Sequence, residues 1–260
     1  MIREIQEGYV KVEHQKEITV IEFFHPQSNS LPVAILNDLG QEIHSAGLEK
    51  DTKVIVLRSA GARAFCAGAS LKELLAIGTA EEGKRFFSGF ANVINAMRRC
   101  PKLIIARIQG KCVGGGVGLA AAADYAIASE GADVKLSELS IGLGPFVVGP
   151  AIERKIGISA FSHLAIDAGM WRPADWARRH GLYAELHPAV EDMDESIQRL
   201  ANELAHANPE ALIELKKILW EGTGDWDTIL HQRAAVSGKL ATSSFTKTAL
   251  EKLKKKDQDR

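Results

Sequence analysis

A chain of 260 residues, 46% hydrophobic and 25% charged, is long enough to bury a substantial core and too apolar to remain disordered. Its formal net charge of −1 exerts no global pull on nucleic acid or on an anionic membrane, so an anionic ligand has to be held locally. The opening stretch MIREIQEGYV carries early charge and no continuous apolar segment; the expectation is neither a signal peptide nor a membrane span, and a cytoplasmic protein. Cys66, Cys100 and Cys112 are odd in number, widely spaced and without a CxxC pair, which predicts buried small side chains and no metal or disulfide framework.

In chain order, β-branched runs predict strands at 10–12, 18–24 and 54–58, with a helix over 31–46 between the second and third. Helical material over 70–99 precedes a further strand at 103–108. A glycine loop, a short alanine-rich helix and a strand at 125–128 follow. Strands alternating with helices predict an α/β fold with buried, mostly parallel strands. From about residue 148 the strand signal largely disappears, and helices are expected over 148–156, 160–167, 173–179, 190–207, 209–220, 225–240 and 245–255, punctuated by proline and glycine. No internal repeat is legible. The basic run at 253–260 reads as a solvated helix end, with phosphate contact as the alternative.

Two loops end at helix starts. Ala64-Phe65-Cys66-Ala67-Gly68-Ala69 runs into Ser70-Leu71-Lys72-Glu73, where Ser70 and Glu73 have capping-box spacing. Lys111-Cys112-Val113-Gly114-Gly115-Gly116-Val117-Gly118 runs into a helix of very small residues. At such places free N–H groups and the helix dipole favour negative charge, and small residues let a ligand approach the backbone. Two loops of this kind can give two donors to one oxygen, as stabilisation of an enolate or tetrahedral oxyanion requires. The glycines fit neither a dinucleotide fingerprint nor a P-loop, and there is no GxSxG or HExxH. The eight histidines show no ligand spacing. Cys66 as a nucleophile lacks an identifiable histidine partner.

With both loops in view, the sequence resembles the crotonase superfamily, the enoyl-CoA hydratase/isomerase family, over nearly its whole length. The residues that carry the likeness are Asn29-Ser30-Leu31, Ala64-Phe65-Cys66-Ala67-Gly68-Ala69-Ser70, Gly114-Gly115-Gly116, Asp124, Trp171-Arg172-Pro173-Ala174 through His180-Gly181-Leu182, and the stretch 209–217. The resemblance implies a spiral of β-β-α turns, with a core over 1–190 and a carboxy-terminal helical region over 191–260 used in trimerisation, as a homotrimer or dimer of trimers. It implies an acyl-CoA thioester substrate, with no cofactor beyond the coenzyme A that the substrate carries. The N–H groups of Ala69 and Gly115 would hold the thioester oxygen. Ser28, Asn29, Ala67, Gly68 and Lys72 would meet the coenzyme A portion, with Lys72 and Lys252 facing its phosphates.

The departures bear on mechanism. Hydratases of this family use two glutamates, and at the first of those positions this chain has Gly118, which can neither hold a proton nor orient water. The second is kept as Glu138, whose carboxyl in an apolar pocket would have a raised pKa suited to proton transfer. One acid with an oxyanion hole suffices for double-bond isomerisation; hydration needs a side chain elsewhere to complete the pair, so the expected activity is that of an enoyl-CoA isomerase or hydratase. Phe146 and Val147, within Gly144-Pro145-Phe146-Val147-Val148-Gly149-Pro150, are expected to reshape the acyl pocket, together with Gly118. Decarboxylation or hydrolysis of a thioester and a non-catalytic binding subunit are the alternatives.

Overall fold

The computed structural model describes residues 8–258; the start of the chain, on which the signal-peptide expectation rests, and the last two residues of the basic run lie outside it. Two sheets organise the molecule. The larger has the order β1 (Tyr9–Gln15), β2 (Ile18–Phe24), β3 (Val54–Ser59), β5 (Leu103–Ile108), β7 (Tyr125–Ser129) and β9 (Glu185–His187). Only β1 runs antiparallel to its neighbour, through a tight turn pairing Gln15 with Ile18; the other pairs are parallel. The smaller sheet is β4 (Ala64–Cys66), β6 (Lys111–Val113) and β8 (Val134–Lys135), all parallel.

The continuous apolar runs of the large sheet follow from burial on both faces. Ile21, Phe23, Ile55, Leu57, Ile104 and Ala106 point into the main core. The alternate residues Ile18, Val20, Val54, Val56, Ile105 and Ile127 pack against Met193, Ile197, Ala201 and Ala205 of helix α7 (Val190–Ala205). A strand's period of two therefore serves two separate cores.

A structural repeat underlies a sequence that shows none. Each turn places one strand in the large sheet and one in the small sheet, and then enters a helix. β3 and β4 lead to α2 (Leu71–Ala76) and α3 (Ala80–Arg99). β5 and β6 lead to α4 (Gly115–Ala122). β7 and β8 lead, through a 3-10 turn at Glu138–Ile141, to α5 (Gly149–Ile166). The expected helix over 70–99 is two helices. Thr79 caps the second, its hydroxyl accepting from Glu82 N at 3.2 Å while Glu82 accepts from Thr79 N at 3.0 Å. β9 falls where no strand was expected; it joins the edge of the large sheet beside β7.

The remaining helices are α1 (Val33–Leu48), α6 (Ala174–Arg179), α8 (Pro209–Leu219), α9 (Trp226–Ala241) and α10 (Ser244–Gln258). Helices α3 and α9 cross closely enough that a Cβ on Gly83 would stand 2.6 Å from the Gly238 Cα. Among the described residues no helix is long and apolar enough to cross a membrane.

Candidate active site

The loop after β4 is fastened to the entry of α1. Leu31 N donates to Gly68 O at 2.7 Å, Ser70 N to Leu31 O at 3.0 Å, and Ser30 Oγ to Ala69 O at 2.9 Å. Gly68 has φ +91°, a conformation that other residues rarely adopt. With Gly68 and Ser70 turned toward Leu31, the Ala69 N–H faces the other way. The capping box expected at Ser70 forms only in half: the hydroxyl accepts from Glu73 N at 3.3 Å, but the Glu73 carboxylate takes Val33 N at 2.9 Å instead. Glu73 thereby ties α2 to the unsatisfied N-terminus of α1.

The second loop leaves β6 through Gly114, at φ +52°, and starts α4 at Gly115. Gly114 N donates to Lys135 O at 2.9 Å. A Cβ on Gly68 would lie 3.6 Å from Gly115 N, so the two loops meet. Among the described residues, neither Ala69 N nor Gly115 N donates to a protein acceptor. Two free backbone donors on touching loops are an oxyanion-binding geometry.

Both amides line a cavity of about 1210 Å³ that also takes in Glu138. Glu138 opens the 3-10 turn after β8, and a Cβ on Gly114 would come within 3.0 Å of its Oε1. Although the residue as a whole is half-buried, its Oε2 is cut off from solvent and has no hydrogen-bond partner among the described residues. Burial pushes this carboxyl up to about 7. Among the described residues it is the only acid lining the cavity. Cys66 is also beside the loops, but burial pushes its thiol up to about 12, which leaves almost no thiolate at neutrality.

The structure separates the other expected site residues into two groups. Ser28, Ala67, Gly68, Lys72, Phe146 and Val147 line the same cavity. Asn29 does not: its side chain is buried, accepting from His25 N at 2.8 Å and donating to Ala60 O and Ala64 O at 2.9 Å each. It shapes the loop and has no donor left for coenzyme A. Lys252 is replaced at the cavity by Leu253 and Lys254 of the same helix. Gly118 is buried in α4, and a Cβ there would meet Val148 Cγ1 at 2.6 Å. Val148 rather than Gly118 reaches the cavity wall. Phe87 and Phe90 of α3 line it as well; their spacing is the same as that of core residues, so sequence alone does not single them out.

The enoyl-CoA hydratase/isomerase family model matches residues 13–256. A mevalonyl-coenzyme A hydratase of Beauveria bassiana is 32% identical over 227 residues, covering 83% of this chain and 78% of its own. A peroxisomal Δ(3,5)-Δ(2,4)-dienoyl-CoA isomerase of Arabidopsis thaliana is 27% identical over 206 residues, 74% and 72% of the two chains. In fold, the crystal structure of an enoyl-CoA hydratase from Bacillus halodurans superposes with a TM-score of 0.85 at 22% identity, over 94% of this chain and 99% of that one. This chain belongs to the enoyl-CoA hydratase/isomerase family. Its α/β spiral with a parallel sheet is the crotonase fold.

Proposed function

We propose that the chain is an acyl-CoA thioester enzyme that moves a double bond through an enolate, with Ala69 N and Gly115 N on the thioester oxygen and Glu138 as the single acid/base. The observation that carries this reading is the Glu138 carboxyl, buried, pushed up to about 7 and the only acid lining the cavity among the described residues, with Val148 filling the space beside Gly118. Its carboxylate takes a proton from the γ or α carbon, the C–H electron pair moves into the thioester, and the oxygen becomes the anion held by the two amides. Glu138 then returns the proton to the other carbon. A base near neutrality needs no further tuning for this exchange. Hydration asks for a second group to hold the attacking water, and the cavity offers no second carboxylate among the described residues.

Ser28, Ala67, Gly68 and Lys72 belong to the coenzyme A end in this reading. The acyl end lies among Phe87, Phe90, Phe146, Val147 and Val148, which suits an apolar chain. No cofactor is required beyond the substrate's own coenzyme A. A cytoplasmic setting agrees with three buried cysteines in the free form.

A panel of 2-enoyl and 3-enoyl thioesters, followed by absorbance and mass, tests the reaction. Isomerisation leaves mass unchanged and hydration adds one water. Glu138→Gln is expected to lower turnover by about 10²- to 10⁴-fold while thioesters still bind; near-wild-type rates on every accepted substrate would refute the assignment.

Assembly as a homotrimer or dimer of trimers belongs to the same proposal. The exposed Leu215, Ile218 and Leu219 of α8 support it, because exposed apolar clusters commonly mark interfaces. Sedimentation is expected to give three or six times the chain mass, and a monomer would contradict this.

A further inference from the structure

The small sheet has its own period of two. On β6 and β8, Cys112 and Val134 turn into the core, whereas Lys111, Val113 and Lys135 line the cavity; a register shift between Ala64 and Cys66 breaks the alternation in β4. Strand pairing sets Lys111 and Lys135 on neighbouring strands, with Cys112 beside Val134 and Val113 beside Lys135. A third segment is added to β8 by two backbone hydrogen bonds of 2.9 Å between Val134 and Arg172. This places Trp171, 38% exposed, alongside. The Lys111 and Lys135 ammonium groups lie 4.9 and 5.7 Å from the centroid of its ring.

Lys135 Nζ also donates to Gly169 O at 2.8 Å, which holds it in place. The described lysines that pair with carboxylates are Lys11, Lys53, Lys216 and Lys217; Lys111 and Lys135 are not among them. Two ammonium groups gathered at one indole repel each other and are only partly offset by the ring. An anion between them removes that repulsion. Backbone links this group directly to the oxyanion donors, since Lys135 O receives Gly114 N one residue before Gly115.

We infer that Lys111, Lys135 and Trp171 form an anion subsite on the cavity rim that holds a phosphate or carboxylate of the thioester substrate. The inference rests on the acyl-CoA reading above. It is separate from the lysines expected from the family resemblance, Lys72 and Lys252. The two sources share one chemistry, an anionic oxygen group beside a flat aromatic face, and differ in which end of the substrate carries it.

The test compares wild type with Lys111→Gln/Lys135→Gln and Lys111→Arg/Lys135→Arg, with melting temperatures as a check on folding. Five substrates are used: one acyl group on coenzyme A, on dephospho-coenzyme A and on pantetheine, and a dicarboxylic acyl-CoA with its methyl ester. The glutamine pair is expected to raise KM roughly tenfold for thioesters that bear the recognised anion, with the loss in KM rather than kcat. The arginine pair is expected to restore most of it. If the anion is a phosphate, the wild-type preference for coenzyme A over pantetheine shrinks in the glutamine pair. If it is an acyl carboxylate, the preference for the diacid over its ester shrinks instead. Unchanged KM values for all five substrates overturn the inference while leaving the functional proposal intact. A wild-type protein that binds none of the five overturns both.

Discussion

Glu138 carries a cost that can be measured apart from catalysis. Its carboxyl has an ordinary value of 4.5 and is raised by burial to about 7. Between these values the folded chain binds a proton that the unfolded chain has released, so stability falls as pH rises through that window. The penalty is absent below about 4.5 and complete above about 7, where it amounts to about 3 kcal/mol at 1.36 kcal/mol per pKa unit. Glu138→Gln is therefore expected to be more stable than wild type at pH 8 and no more stable at pH 4.5. Denaturant unfolding of both proteins at the two pH values measures this, and equal stability at pH 8 would mean that the carboxylate is well solvated. The position of Glu138 was legible from its motif, and its isolation was partly legible from Gly118. What fills the gap was not, because Val148 lies in another element and nothing local marks it as the neighbour of Gly118.

At the scale of elements, the Gly118–Val148 contact is a joint between α4 and the start of α5. A side chain at 118 would place its Cβ 2.6 Å from Val148 Cγ1 and 2.7 Å from Val148 Cβ. Gly118→Glu alone is expected to destabilise the fold by at least about 1–3 kcal/mol through overpacking. Val148→Gly in the same chain should recover part of that loss. Calorimetric melting of the two variants checks the order, and the double variant is the one to assay for water addition. Element boundaries divide by length in how well the sequence showed them. The run at 18–24 is long, apolar and β-branched, and it matches β2. The strands β4, β6, β8 and β9 have two or three residues, too few for alternation to register. The break between α2 and α3 had a signal in Thr79 and Glu82, a capping box within the stretch 78–85 where the apolar spacing lapses.

The whole molecule is drawn together by a buried ion pair whose members are 92 positions apart. Asp124, just before β7, takes Lys216 Nζ at 2.6 Å and Ile104 N at 2.8 Å on one oxygen, and Trp220 Nε1 at 2.8 Å on the other. The side chains of both charged residues are almost fully enclosed, at 3% and 4% exposure. The stretch at 209–217 and Asp124 each matched the family pattern, yet only the folded chain shows that they are two ends of one contact. It fixes α8 against the strand ends β5 and β7, with Leu215, Ile218 and Leu219 left facing outward. Removing one partner strands a charge in the interior, which costs far more than a surface pair is worth. Lys216→Met is thus expected to lose about 3–5 kcal/mol of stability at neutral pH. Asp124→Asn in the same chain should restore part of this by removing the unpaired charge, since an amide can still accept from Ile104 N or Trp220 Nε1. Urea unfolding of the single and double variants distinguishes the two cases. A loss below about 1 kcal/mol for Lys216→Met, the range of exposed pairs, would show that α8 is held by its apolar contacts alone.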